Sequence, residues 1–259
     1  DLLPNLLNVS GAHVMTATAC FDGGATRVAA YERMDGSLLQ LLLATNGTDP
    51  LRQFVPPRRD RACFALTAVH QMLRGLAAAH AVGIVNQDVH AGNLLYKGAW
   101  PATRWKVSDF GRACLAGARP GTGGCLATAG ALAAAPEAGR VALTPASDVW
   151  GAGLVFLLLR CAHGPDTARR HGVEERPDRL AARFRELVQR LRRRRVGATL
   201  AAAALPAEAA RCRLRAEPTR EGELLEAMLD PRWEKRPTAS WLAGEFADLV
   251  RRRCARSRL

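Results

Sequence analysis

The sequence predicts an α+β fold, with strands near the start of the chain and helices behind them. Two apolar, β-branched stretches, His13 to Phe21 and Thr26 to Tyr31, flank an Asp-Gly-Gly turn and predict a hairpin. Between residues 61 and 80, apolar residues recur every three or four positions, which predicts an amphipathic helix that Gly83 ends. The nearly continuous apolar segment from Val149 to Cys161 predicts a buried helix.

Shorter elements are expected between these landmarks. Ser37 is placed to cap a short helix that runs through Leu43, and the Asn-Gly and Pro residues of 46–57 predict a loop after it. Short strands are expected around 84–85, 94–95 and 105–107, and further helices over about 222–229 and 239–250.

The charge of the chain is strongly positive. It carries 37 Lys and Arg against 24 Asp and Glu, a formal net charge of +13, and all but three of the basic residues are arginine. Arginine keeps its charge at any usable pH, so the surface favours phosphate, acidic peptides or nucleic acid. The arginines concentrate in 183–195 and 251–258. These segments indicate acidic partners or a nuclear-import signal, or else the solvated face of a helix whose apolar side is Phe184, Leu187, Val188 and Leu191. Phe184 is the only aromatic residue in these two segments, which disfavours nucleic acid as the partner.

The cysteines and the apolar runs indicate in which cellular compartment the protein is expected. Seven scattered cysteines without a CxxC pair favour a reducing compartment, and therefore an intracellular protein of the cytoplasm or nucleus. The longest uninterrupted apolar runs, Leu154 to Leu159 and Leu200 to Leu205, are far shorter than the roughly 20 residues of a membrane span, so no membrane partner is expected. The chain opens at Asp1 rather than Met, which we expect of a piece of a longer polypeptide.

Acidic and amide side chains lie on two predicted loops. Asp88 and Asn93 are five positions apart between short apolar segments, and Asp109 follows the strand expected at 105–107. A carboxylate and an amide oxygen suit Mg²⁺, a hard cation that prefers oxygen ligands. A second carboxylate is suited to accept the proton of an attacking hydroxyl. The pattern therefore indicates phosphate chemistry that uses a divalent metal.

Five motifs, in order, resemble those of the eukaryotic protein-kinase family. They are the run at 83–93, Asp-Phe-Gly at 109–111, Ala-Pro-Glu at 135–137, the segment 147–153, and the segment 231–237. The resemblance implies a protein-kinase-like fold, with residues 1–36 as a remnant of the β N-lobe (two strands and the hinge) and residues 37–259 as the mainly helical C-lobe. It also implies ATP and Mg²⁺ as cofactors and proteins as substrates.

The resemblance assigns roles to the residues of the catalytic centre. Asp88 corresponds to the catalytic base, and Asn93 and Asp109 correspond to the metal ligands. Phe110 and Gly111 complete the DFG motif. We call the stretch from this motif to the Ala-Pro-Glu motif, residues 109–137, the activation segment.

Other matched positions are expected to support that centre. Asp148 corresponds to the residue that steadies the backbone of the catalytic loop, and Arg236 is expected to pair with Glu137. The hinge that holds adenine through backbone contacts, with the gatekeeper in front of it, is expected at Tyr31, Glu32 and Met34.

The catalytic loop departs from the family pattern HRDxKxxN at three positions, where Asn86, Gln87 and His90 replace His, Arg and Lys. The Arg of the family commonly holds an activation-segment phosphate, which the neutral Gln87 cannot do. Residues 112–134 contain neither Ser nor Tyr. The sequence therefore predicts a kinase that needs no activation-segment phosphorylation.

Ahead of the hinge, the sequence has neither a GxGxxG loop nor a lysine. In the family these parts hold the β- and γ-phosphates, so the 259 residues alone are expected to be inactive. Serine and threonine are the expected acceptors, because nothing in the chain resembles the signatures of tyrosine kinases.

Two other functions stay open. The three catalytic-loop substitutions are also compatible with a pseudokinase that acts as a binding or scaffolding protein. The basic composition is compatible with a nucleic-acid-binding module. The catalytic loop and the Ala-, Gly- and Arg-rich composition also resemble divergent herpesvirus-encoded kinases.

Overall fold

The computed structural model describes residues 13–22, 27–43, 58–119, 125, 134–138, 142–161, 177–205, 209, 212, 214 and 219–255. This part of the chain has the predicted α+β composition, in which helices predominate and the sheets are small. The predicted Gly23-Gly24 turn and the predicted loop at 46–57 lie outside the described residues.

The strands form three small sheets in the described part of the chain. The predicted hairpin is confirmed, since β1 and β2 pair antiparallel with Cys20 opposite Ala29. Strand β5 lies between β3 and β6, and the pair of β4 and β7 forms the third sheet. Their bounds are β1 Ala17–Asp22, β2 Arg27–Tyr31, β3 Gly36–Ser37, β4 Ile84–Val85, β5 Leu94–Lys97, β6 Arg104–Val107 and β7 Cys114–Leu115.

The predicted helices are present and mostly extend a few residues beyond their expected ends. Ser37 caps the first of them as predicted: its Oγ accepts a hydrogen bond from the Gln40 N–H at 3.2 Å, and Gln40 Oε1 accepts one from the Ser37 N–H at 2.8 Å. Among the described helices, none combines the length and the apolar composition that a membrane crossing requires. The helices are α1 Leu38–Leu43, α2 Arg58–Ala81, α3 Pro145–Cys161, α4 Pro177–Arg192, α5 Leu200–Ala203, α6 Arg220–Met228 and α7 Ala239–Cys254, with a 3₁₀ turn at Trp233–Lys235.

Helix α3 lies in the core, as its apolar sequence predicts. The rings of Phe156 on α3 and Phe246 on α7 meet edge to face, with centroids 5.1 Å apart. Helix α2 packs against both α3 and α7. A Cβ on Gly151 would lie 2.6 Å from the backbone oxygen of Val89, so α3 passes close to the catalytic loop only because this residue is glycine.

The β5–β6 pair brings two of the predicted site residues to one end of a sheet. Leu94 lies opposite Val107 in the antiparallel register. Asn93 immediately precedes β5, and one residue, Ser108, separates Asp109 from the end of β6. The two side chains therefore leave the sheet at the same end, although 15 residues of chain separate them.

Six of the seven cysteines are paired in disulfides. Disulfides join Cys63 to Cys254, Cys114 to Cys125, and Cys161 to Cys212, while Cys20 is free and exposed. Sequence spacing gave no sign of these pairs because the partners are 11, 51 and 191 residues apart.

Candidate active site

Asp148, at the start of α3, holds the backbone of the catalytic loop. Its buried carboxylate accepts hydrogen bonds from the Asn86 N–H and the Gln87 N–H, both at 2.8 Å. The Nε2 atom of His80 lies 2.9 Å from the same carboxylate. These contacts fix the loop on the core just ahead of Asp88. Sequence reasoning missed His80, whose only signal is a histidine in the last turn of α2.

Asn86 links the candidate base to the candidate metal ligand at position 109. Its side chain is fully buried. Its Oδ1 accepts from the Asp88 N–H at 3.0 Å, and its Nδ2 donates to the Asp109 backbone oxygen at 3.1 Å. Both ends of one amide are therefore used to bring two separate loops together.

Two donors flank the carboxylate of Asp88, whose side chain is 21% exposed. His90 Nε2 lies 3.6 Å from Oδ1, and Arg112 Nε lies 4.0 Å from Oδ2. The Gly92 N–H donates to His90 Nδ1 at 3.0 Å, which leaves the imidazole proton on Nε2, facing Asp88. The sequence interpretation of His90 as a loop residue near the site agrees with this position.

Hydrogen bonds hold both the side chain and the backbone of Asn93 and leave its side-chain oxygen Oδ1 available. Its Nδ2 donates to the Asp88 backbone oxygen at 3.0 Å, so Oδ1 is left as an acceptor. The Ser108 N–H and the Ser108 hydroxyl both donate to the Asn93 backbone oxygen at 2.9 Å. This arrangement ties the end of the catalytic loop to the residue before Asp109.

Asp109 has a φ of 54°, a conformation that few non-glycine residues adopt and that re-aims the side chain after β6. Its Oδ1 accepts from the Gly111 N–H at 3.1 Å, and the carboxyl group is exposed. Phe110, next in the chain, packs against the core cluster that contains Val14 and Ile84. The half-buried ring of Phe110 and the exposed carboxylate of Asp109 therefore lie in different environments.

The donors at this end of the sheet fit a magnesium ion that takes further ligands from a substrate. Asn93 supplies an amide oxygen and Asp109 a carboxylate, both hard oxygen donors. Across the described residues, no group of three or more His, Cys, Asp or Glu side chains lies close enough together to hold a metal. Protein Mg²⁺ sites commonly use one or two carboxylates together with substrate phosphates, so a set of two protein ligands is adequate.

Glu137 and Arg236 form a two-pronged ion pair at the end of the activation segment. Arg236 Nη1 and Nη2 donate to the two Glu137 carboxylate oxygens at 2.6 and 2.8 Å, and the arginine side chain is fully buried. Arg236 also donates to the backbone oxygens of Ala146 and Asp230, and its guanidinium lies 5.0 Å from the ring centroid of Trp150. This pair joins the Ala-Pro-Glu motif to the turn before α7.

The expected hinge residues follow β2, and Glu32 makes contacts that the sequence did not predict. Its carboxylate pairs with Lys106 Nζ at 2.6 Å and with Lys97 Nζ at 2.9 Å. Hydrogen bonds from these two lysines lower the pKa of Glu32 to about 2. The pair of ammonium groups thus ties the hinge to β5 and β6. Tyr31, the expected gatekeeper, is 55% exposed, and Met34 is half-buried.

Comparison with known proteins gives the same family as the motifs. A model of the protein kinase domain matches residues 6–245. The serine/threonine-protein kinase PknA of Mycobacterium tuberculosis is 34% identical over 134 residues, which are 51% of this chain and 28% of that protein. The serine/threonine-protein kinase PknL of the same organism is 36% identical over 147 residues, 54% of this chain and 35% of that protein.

The matched stretches thus span about a third, or less, of the length of these relatives. The family match, in contrast, extends over nearly the whole chain and includes every position of the candidate site. The fold agrees with it, because the small sheets, the loop held by Asp148 and the Glu137–Arg236 pair occur in the order of the five sequence motifs. This chain therefore belongs to the protein kinase family.

Proposed function

We propose that this chain carries the catalytic centre of a protein serine/threonine kinase, which transfers the γ-phosphoryl group of ATP to a hydroxyl of a protein. The observation that supports this most directly is the set of hydrogen bonds that links Asp88 directly to Asn93 and, through the Asn86 side chain, to the backbone of Asp109. A pseudokinase would have no catalytic need for hydrogen bonds that hold the base and the two metal ligands next to one another.

Each of the three residues has a distinct part in the reaction. Asp88 orients the acceptor hydroxyl and takes its proton as the hydroxyl oxygen bonds to the γ-phosphorus and the bond from that phosphorus to ADP breaks. Asn93 Oδ1 and the Asp109 carboxylate would hold Mg²⁺, which neutralises charge on the phosphates of bound ATP. Arg112 adds positive charge beside the reacting group, and the neutral His90 ring faces the Asp88 carboxylate with its Nε2 proton.

The nucleotide would enter between the hinge and this group. Residues 1–36 supply the hinge, at which backbone groups of Glu32 and Met34 hold adenine next to Tyr31, and residues 37–259 supply the catalytic lobe. The pairing of Glu32 with Lys97 and Lys106 supports this, because it fixes the hinge against the sheet that ends at Asn93 and Asp109.

Serine and threonine are the proposed acceptors because PknA and PknL are serine/threonine kinases by name. The net charge of +13 supports acidic protein partners, with Arg185, Arg192, Arg193 and Arg195 exposed or half-exposed on α4 and just beyond it. A cytoplasmic or nuclear location and a viral origin stay predictions from the sequence.

The test is phosphoryl transfer from labelled ATP to a mixture of protein acceptors, with the native polypeptide that carries this sequence. Asp88→Asn removes the base and is expected to lower the rate by about 10²-fold or more. Asp109→Asn should act similarly, whereas Asp248→Asn, at an exposed position on α7, should leave the rate unchanged. The label should appear on serine and threonine. A rate that Asp88→Asn leaves intact, or the absence of transfer by the native protein, would contradict the proposal.

A further inference from the structure

The side chain of Gln87 faces the activation segment rather than solvent. Its Nε2 donates to the Arg112 backbone oxygen at 2.7 Å and lies 2.9 Å from Cys114 Sγ and 3.5 Å from Cys125 Sγ. A backbone carbonyl only accepts hydrogen bonds, so the Arg112 contact fixes which end of the amide is nitrogen. The backbone of Gln87, with a φ of 68°, is held in turn by Asp148. One amide therefore connects the catalytic loop to two cysteines of the activation segment.

The two cysteines form a disulfide in a small apolar cluster. Cys114 lies in β7, opposite Val85 of the strand that leads into the catalytic loop, and Cys125 lies 5.7 Å from it between Cα atoms. Both are buried together with Leu143. The disulfide fixes Cys125 to the strand that is already paired with the core.

Backbone hydrogen bonds extend this attachment past the disulfide. The Gly117 N–H donates to the Leu143 oxygen at 2.8 Å, and the Leu143 N–H donates to the Ala118 oxygen at 2.9 Å. Leu143 lies shortly before α3, on the far side of the Ala-Pro-Glu motif. The cluster of Cys114, Cys125 and Leu143 therefore joins the start of the activation segment to the chain beyond its end.

Position 87 does not offer the charged donor that an arginine there would give to a phosphate on this segment. Glutamine has a neutral amide, which cannot form a charge-assisted pair with phosphate. An amide N–H next to sulfur and a carbonyl oxygen is instead suited to hold an uncharged disulfide. Thr122 and Thr128 are the only hydroxyl residues in 112–134.

We propose that Gln87 is a positioning residue and that the Cys114–Cys125 disulfide, held by it, keeps the activation segment in place for substrate binding. This inference rests on the proposed kinase function. The kinase is then competent when the disulfide is formed and loses substrate affinity when it is reduced. Thus a two-electron redox change takes the place of a phosphorylation event.

Oxidised glutathione, itself a disulfide, can serve as the oxidant that forms the Cys114–Cys125 disulfide. One protein thiolate attacks a sulfur of oxidised glutathione and expels a glutathione thiolate, which gives a mixed disulfide. The second protein thiolate then attacks the protein sulfur and expels the second glutathione. The two cysteines lose two protons and two electrons, and two molecules of reduced glutathione are formed.

The experiment uses the native polypeptide in glutathione buffers that run from reduced to oxidised. Alkylation followed by mass spectrometry reports the state of Cys114 and Cys125, and hydrogen exchange reports the protection of residues 112–119. Initial rates give KM for the acceptor and, separately, KM for ATP. Reduction is expected to speed the hydrogen exchange of residues 112–119 and to raise the acceptor KM about tenfold or more. The ATP KM should be unchanged, because reduction displaces only the activation segment, which positions the acceptor.

Variants separate the disulfide from general stability. Cys114→Ser and Gln87→Glu, which keeps the shape of the side chain but removes its N–H donors, should each reproduce the effect of reduction in oxidising buffer. Cys254→Ser removes the disulfide between α2 and α7 and should leave the acceptor KM and the exchange of 112–119 unchanged.

Two results would overturn the proposal: Cys114 and Cys125 that stay reduced in oxidised buffer, or hydrogen exchange of residues 112–119 that is the same in reduced and oxidised buffers. Absence of phosphoryl transfer in every buffer would instead contradict the kinase function, and the exchange data would still decide whether the disulfide orders the segment.

Discussion

Asn86 shows how a single residue substitution is accommodated in the catalytic loop. From the sequence, it is a departure from the histidine of the family pattern and one of the arguments for a pseudokinase. In the structure, its buried amide accepts from the Asp88 N–H and donates to the Asp109 oxygen. Sequence reasoning located the substitution but had no means to find this role, because the two partners are 21 residues apart in the chain.

Replacing Asn86 by alanine should destabilise the protein. The Asp88 N–H and the Asp109 oxygen would each lose a partner, and a buried polar group without a partner costs about 1–3 kcal/mol. Urea unfolding should therefore show a lower free energy of unfolding for Asn86→Ala. Gln189→Ala, at an exposed position on α4, is the control and should stay within about 0.5 kcal/mol of the native protein. Equal stability of the two variants would show that the Asn86 bonds are not formed.

The ion pair between Glu137 and Arg236 is expected to be much stronger than those on the surface. Glu137→Gln removes the charge that faces a fully buried guanidinium, and breaking a buried pair in this way typically costs about 3–5 kcal/mol. The matched control is Glu186→Gln, since Glu186 is exposed and pairs with Arg190 at 3.9 Å on the surface of α4. The control should change stability by less than about 1 kcal/mol. Similar losses in the two variants, measured by thermal unfolding, would contradict this account.

The lowered pKa of Glu32 predicts how the stability of the protein depends on pH. This pKa is lowered from 4.5 to about 2 by hydrogen bonds from Lys106 and Lys97. Because the folded state binds the proton more weakly than the unfolded state, the contribution of Glu32 is complete above pH 4.5 and is lost as the pH falls towards 2. The stability difference between the native protein and Glu32→Gln should follow this course, and the carboxyl resonance should titrate near pH 2. Titration of that resonance near 4.5 would show that the lysine contacts are absent in solution.

At the scale of elements, the contact between α3 and the catalytic loop depends on one glycine. A Cβ at Gly151 would lie 2.6 Å from the Val89 oxygen and 2.8 Å from its Cβ. Gly151→Ala should therefore push α3 away from the loop, at a cost of about 1–3 kcal/mol, and should lower phosphoryl transfer as well.

The control for Gly151→Ala is Gly244→Ala on α7. A Cβ at that position meets nothing within 4 Å, so alanine should stabilise the helix by up to about 1 kcal/mol. Opposite signs for the two variants in thermal unfolding are the expected result. A neutral Gly151→Ala would contradict the close approach of α3 to Val89.

The elements differ in how well the sequence predicted them. Helices α2 and α3 have long periodic or continuous apolar patterns, and both were predicted within a few residues. Strand β7 was not predicted, because it has two residues and its partner β4 lies about 30 residues earlier in the chain. Such a short strand exists only through this distant pairing, and no local pattern indicates it.

At the scale of the whole molecule, the order of motifs predicted the family, the fold and the candidate residues of the centre. The disulfides, the Gln87 contacts and the role of Glu32 were not predictable. Each of them joins residues that are far apart in the chain and has no characteristic spacing. The motifs describe the reaction centre, whereas the contacts that hold the motifs together depend on this particular chain.

In the proposed centre, Asn93 and Asp109 share one cation beside Asp88. Adding Mn²⁺ and ADP to the native polypeptide and measuring paramagnetic broadening of assigned side-chain resonances shows whether they do. The Asn93 amide and the Asp109 carboxyl signals are expected to broaden together at low Mn²⁺, while those of the exposed Asp248 stay sharp. Broadening of Asn93 or Asp109 no greater than that of Asp248 would contradict a shared cation.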